Sequence, residues 1–321
     1  MKVTAYCALI LGVLCPSLLR ADEPTPTELK AHKSDVWCLL FSPDGKQFAS
    51  AGKDGTVQLR DAGNGGVLHT LKGHTGDVLR LAYSPDGKVL ASSGVDGTVR
   101  LWDPKTGKEL RTIKAHGNWV PGVAFSPDGK LLATASADKT AGIWDAATGE
   151  NRRTFKGHTA EVWGVAFSPD GKRVASVGKD SVVRVWDAAT AKEEFMMKGH
   201  TGEVYTVAFC PKGDEIVSCG ADKTVRIWDA ARGKEARAIA GHKGGVYSVA
   251  FAPGGRLLSS SADRTVRAWD MTTGKEVRAW PEHGGDVYAV ACSSDGARCV
   301  TGGKDRGIML WSGEDALPEN K

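Results

Sequence analysis

The stretch HTAEVWGVAFSPDGKRVASVGKDSVVRVWD, residues 158–187, decides the fold. It holds three apolar runs of strand length, Val162 to Phe167, Arg173 to Val177 and Val182 to Trp186. Pro169-Asp170-Gly171-Lys172 separates the first two. There proline presets one backbone angle and glycine accepts the left-handed one that a tight turn needs. A second polar break holding Asp180 precedes the third run. The runs are too short and too closely punctuated for helices, so the stretch reads as antiparallel strands joined by turns.

Working outward, the same stretch recurs along the chain. His32, His74, His116, His158, His200, His242 and His283 are spaced 42 residues five times and 41 once, while His69 belongs to no series. Four residues after each comes a valine: Val36, Val78, Val120, Val162, Val204, Val246 and Val287. The second turn of each repeat carries Asp54, Asp96, Asp138, Asp180, Asp222, Asp263 or Asp305. Four residues before each of these stands a hydroxyl: Ser50, Ser92, Thr134, Ser176, Ser218, Ser259 and Thr301. Five repeats end their third run in Trp-Asp, from Trp102-Asp103 to Trp269-Asp270. Loops such as Ala146-Ala147-Thr148-Gly149 then lead to a fourth run. One four-stranded sheet cannot bury both apolar faces, whereas seven arranged around an axis can.

Gly-His and Trp-Asp pairs at this spacing resemble the WD-repeat (WD40) family over residues 26–311, almost the whole chain. The resemblance implies an all-β, seven-bladed WD40 propeller with four antiparallel strands per blade. It also implies that each repeat opens on the outer strand of the preceding blade. Residues 26–31 would then close the ring by joining the last blade. Within each blade the resemblance implies hydrogen bonds from Trp to Ser/Thr to His to Asp, which makes the repeated His and Asp residues structural. Their spacing agrees, because a catalytic set must converge on one point and these occur once per blade. Two repeats depart from the pattern: the first has Arg60-Asp61 in place of Trp-Asp, and the last has Trp311-Ser312. Arg60 is expected to donate to Ser50 or to turn outward, and Arg60→Trp to be neutral or stabilising.

Function in such a fold lies on the faces and at the channel mouth. The residue after each repeat valine is Trp37, Leu79, Pro121, Trp163, Tyr205, Tyr247 or Tyr288. The residue before it is Asp35, Asp77, Trp119, Glu161, Glu203, Gly245 or Asp286. The resemblance places these positions at the inner strand's entrance. Aromatic faces beside carboxylates suit a protein or peptide partner, with a basic side chain in the mouth. Repetition alone would also preserve such aromatics, so that alternative stays open. Lys53, Lys179 and Lys304 add positive charge to the same face, and the Pro-Asp-Gly-Lys turns fall on the opposite one. The leading expectation is therefore a non-catalytic interaction scaffold without a cofactor or metal. The alternative is a propeller hydrolase or lyase using Asp35, Glu161 or Glu203 at the channel, but no HExxH, GxSxG, P-loop or dinucleotide fingerprint is present.

A net charge of +4, with acids and bases interleaved, gives no basic element for nucleic acid. Lys2, the apolar run from Val3 to Leu14, and Leu19-Arg20-Ala21 read as a secretory signal peptide over residues 1–21. The run is short for a membrane span, so no stable insertion is expected after cleavage. The bulky Leu14 before Cys15 does not suit a lipoprotein signal. Residues 22–312 would form the propeller and 313–321 a short polar tail, in a periplasmic or extracellular protein. The absence of Asn-x-Ser/Thr fits a bacterial exported protein. Cleavage leaves Cys38, Cys210, Cys219, Cys292 and Cys299. A hairpin at Ser294-Asp295-Gly296-Ala297 would let Cys292 and Cys299 bridge, although five unpaired apolar strand residues are the preferred reading.

Overall fold

In the computed structural model, which describes residues 26–281 and 283–313, residues 158–187 supply three strands of one blade. These are Val162–Phe167, Arg173–Gly178 and Val182–Asp187, and Glu193–Lys198 completes the antiparallel sheet. The inner three strands are largely buried, as continuous Val and Ala content demands. The outer strand buries only Met197 fully and shows Glu193, Glu194 and Lys198 to solvent. Charges along that edge discourage pairing with another chain.

The described residues form seven such sheets. The expected leader, residues 1–21, and the tail beyond Gly313 lie outside them. The core sits between blades rather than within them. Ile143 and Phe155 of the third blade pack with Val162, Phe167 and Trp186 of the fourth. Six further clusters repeat the arrangement around the ring.

Closure is made by Thr27–Lys30, which pairs antiparallel with Gly307–Ser312 and puts Leu29 opposite Ile308. Leu29 and Ala31 then pack on the core shared by the first and last blades. In the last blade Cys292 stands opposite Cys299, and the two form a disulfide. This replaces the expectation of five unpaired cysteines: the two-strand register brings this pair face to face. Cys38, Cys210 and Cys219 are free and buried.

Candidate functional site

The repeated polar residues meet inside each blade wall. In the fourth blade His158 Nδ1 lies 2.9 Å from Asp180 Oδ2, and Nε2 lies 2.8 Å from Ser176 Oγ. Trp186 Nε1 donates to the same hydroxyl at 2.7 Å. An indole only donates, so the hydroxyl gives its own hydrogen to His158 Nε2, and Nδ1–H faces the carboxylate. The His–hydroxyl distance stays between 2.7 and 2.9 Å in all seven blades. Every repeat histidine also reaches its turn aspartate. Burial holds His32, His74, His116, His200 and His242 below the usual imidazole value, against the pull of their aspartates. Burial pushes the carboxyls up, but hydrogen bonds from hydroxyls, backbone and His leave Asp54, Asp96, Asp138, Asp180, Asp222, Asp263 and Asp305 below the ordinary range. Each set closes on itself, and among the described residues no three His, Cys, Asp or Glu side chains form a group able to hold a metal ion.

Arg60 does neither of the two things expected of it. It is buried and donates to Lys30 O at 2.8 Å, Gly65 O at 2.7 Å and Gln58 Oε1 at 2.7 Å. It thereby fastens the first blade to the closing strand. In three other blades a glycine precedes the histidine, and a Cβ would lie 2.4 Å from the Trp186 ring at Gly157, 3.0 Å from Trp228 at Gly199 and 2.7 Å from Trp269 at Gly241. The first blade has Ala31 at this position, as the third has Ala115 beside its Trp144.

At the channel mouth the ladder skips one residue. Val162 pairs with Gly178 and Gly164 with Val177, leaving Trp163 out of register. The same bulge frees Trp37, Leu79, Tyr205, Tyr247 and Tyr288. Pro121, with no N–H to give, stands just before the strand Gly122–Phe125. Bulges re-aim side chains, and these seven line one cavity of about 580 Å³. Trp37 and Tyr288 have ring centroids 4.6 Å apart, Tyr288 and Tyr247 5.1 Å, and Tyr247 and Tyr205 5.4 Å. Trp119, 49 % exposed, also lines the cavity.

The carboxylates gather less closely. Of the five, only Asp77 lines the cavity, where Trp37 Nε1 donates to it at 3.1 Å. Asp286 accepts from the Tyr247 hydroxyl at 3.1 Å. Glu161 is 3.5 Å from Lys179 Nζ, and its own backbone N–H and that ammonium hold its carboxyl low. Asp35 and Glu203 stay outside the cavity lining, as does Gly245. The carboxylates expected close to the aromatics therefore form a dispersed rim, each of these residues accepting through its backbone C=O from the facing turn. Burial raises the Tyr205 and Tyr247 hydroxyls and pushes Tyr288 up to about 12, so all three remain donors at neutral pH.

The sequence reading missed Arg80. It lines the mouth cavity and also a second cavity of about 390 Å³ deeper in the channel, and it donates across the axis to Thr206 Oγ1 at 3.0 Å. The signal was available two residues after each repeat valine: Cys38, Arg80, Gly122, Gly164, Thr206, Ser248 and Ala289. Arg80 alone among these is large and charged.

A family model for the WD domain, G-beta repeat, matches residues 23–61, 65–103, 107–145, 149–187, 191–229, 233–270 and 274–312. The chain belongs to the WD40 family. Each matched WD40 unit runs from the outer strand of one blade to the third strand of the next, as the closure at Thr27–Lys30 requires. WD40 propellers typically mediate protein–protein interaction and are generally non-catalytic scaffolds. No curated protein matches the chain.

Proposed function

We propose that this WD40 protein is an interaction scaffold that binds an extended protein or peptide segment over the channel mouth. The observation that carries the reading is the convergence of six bulged residues and Pro121 on one cavity, with Trp37, Tyr288, Tyr247 and Tyr205 stacked along its wall. Rigid aromatics with polar tips are the side chains most often found at binding hot spots. A basic partner side chain, expected from the carboxylates, is confined to the rim at Asp35 and Glu203. No observation favours a channel enzyme, since neither of these lines the cavity and Glu161 is held by Lys179.

Export completes the proposal, supported by the bridge between Cys292 and Cys299, a feature of oxidising compartments. N-terminal sequencing of the mature protein should begin at Asp22; an intact Met1 would refute export. For the mouth, a partner recovered from a displayed peptide library is titrated against Trp37→Ala and Trp163→Ala. Truncating an aromatic hot spot costs about 2 kcal/mol or more. Unchanged affinity for both variants would reject this surface.

A further inference from the structure

We propose that the floor of the channel mouth receives one acidic side chain, Asp or Glu, from the bound segment, and that Arg80 is the residue that pairs with it. The proposal rests on the mouth being the docking surface and adds the chemistry of the residue that enters it. Adjacent inner strands come close at the Arg80 level: a Cβ on Gly122 would lie 3.1 Å from Trp163 O, and one on Gly164 3.1 Å from Tyr205 O. Small residues are forced at such positions, and an arginine is accommodated in one blade because it spans the space they leave. Arg80 borders both the mouth cavity and the deeper one.

The balance of donors and acceptors fixes the sign of the ligand. Arg80 offers five N–H donors. The Thr206 hydroxyl takes one, and itself donates to Tyr247 O at 2.8 Å. No carboxylate among the described residues lies within ion-pair distance of Arg80. The cavity's one carboxylate, Asp77, is engaged by Trp37. The hydroxyls of Tyr205 and Tyr288 have no partner among the described residues, and neither does the buried Trp163 Nε1. A carboxylate only accepts, so it can take the N–H groups of Arg80 and Trp163, which cannot accept, whereas an ammonium would face the guanidinium with like charge.

The surrounding face carries both signs: exposed Lys53, Lys139, Lys223, Arg264, Lys304 and Arg306 alternate with the turn aspartates and the rim carboxylates Asp35, Glu203 and Asp286. The sign of the ligand is therefore set on the floor, at Arg80, and the occupant is a segment of a partner protein with one carboxylate inserted between the aromatic walls.

The full-length mature protein is panned against a phage-displayed library of random linear peptides. Recovered sequences are synthesised as C-terminal amides, so that only side chains carry carboxylates, each paired with a version in which the acidic residue is its amide. Both are titrated against the unaltered protein and against Arg80→Gln, Arg80→Glu and Trp37→Ala. The recovered peptides should share an acidic residue, and the amide version should bind the unaltered protein at least about tenfold more weakly. Arg80→Gln should bind both versions alike, and Arg80→Glu should prefer a lysine at that position. Peptides that need Trp37 yet bind equally as acid and amide would overturn the Arg80 pairing and leave the mouth as the docking surface. Peptides indifferent to both Trp37 and Arg80, or a library that yields none, would overturn both. The acid–amide comparison on the unaltered protein decides the question even if an Arg80 variant fails to fold.

Discussion

Trp186 and Trp163 belong to the same blade and differ in everything but the side chain. Trp186 is 3 % exposed, packs on Phe155 with centroids 5.2 Å apart, and gives its N–H to Ser176. Trp163 is half-buried beside a cavity, outside the ladder register, and its N–H finds no acceptor among the described residues. The first indole repeats in five other blades, and its hydrogen bonds stay within one blade. Around the second, residues differ from blade to blade, and contacts such as Trp37–Tyr288 and Arg80–Thr206 run between blades. The Trp–hydroxyl–His–Asp sets of the wall are mutually satisfied and hold the fold. At the mouth, Trp163 Nε1–H and most of the Arg80 N–H groups are left without an acceptor among the described residues, which is the condition for recognition.

The largest effect expected on the wall comes from opening the ring. Deleting residues 22–31 removes the closing strand, the Leu29 packing and the Lys30 acceptor of Arg60. We expect a loss of roughly 3–5 kcal/mol, read as a lower melting temperature; an unchanged melt would contradict closure by this strand. Next comes Ser176→Ala, which leaves Trp186 Nε1–H and His158 Nε2 both unpaired in a buried site. About 2–3 kcal/mol should be lost in denaturant unfolding, while Trp163→Ala should cost less than about 1 kcal/mol. Equal losses would erase the distinction between wall and mouth.

Arg60→Trp tests whether a wall residue is interchangeable between blades. The loss of the Lys30 and Gly65 bonds should destabilise by about 1–2 kcal/mol in denaturant unfolding. A stabilised variant would show that the arginine is dispensable.

The last effect is a pH dependence. His32, His74, His116, His200 and His242 have folded-state values below 6.5, so the unfolded chain binds protons first. Their contribution is fully present above pH 6.5 and is lost as the pH falls below it. A second loss follows below about 3.8, where the depressed turn aspartates protonate. Melting temperatures that hold steady from pH 7 down to 5 would contradict the buried neutral histidines.

The blades were legible because a period written in His, Val, hydroxyl and Asp survives any uncertainty about strand ends. The ring at Trp37, Leu79, Pro121, Trp163, Tyr205, Tyr247 and Tyr288 could be placed for the same reason. Partners across blades could not be read, since sequence periodicity carries no information about what faces what. Asp77 belongs to Trp37 of the neighbouring blade, and Asp286 to Tyr247. Arg80 was readable in principle: it breaks a column of small residues. The role of Arg60 depended on the carbonyls of Lys30 and Gly65, which only the folded chain brings to it.

The most direct test is amide hydrogen exchange of the mature protein, alone and saturated with a peptide selected from the library. We predict added protection at the inner-strand entrances, residues 35–38, 77–80, 161–164, 203–206, 245–248 and 286–289, with the Pro-Asp-Gly turns of the opposite face unchanged. Protection confined to those turns or to the outer strands, with none at the entrances, would contradict the assignment of recognition to the channel mouth.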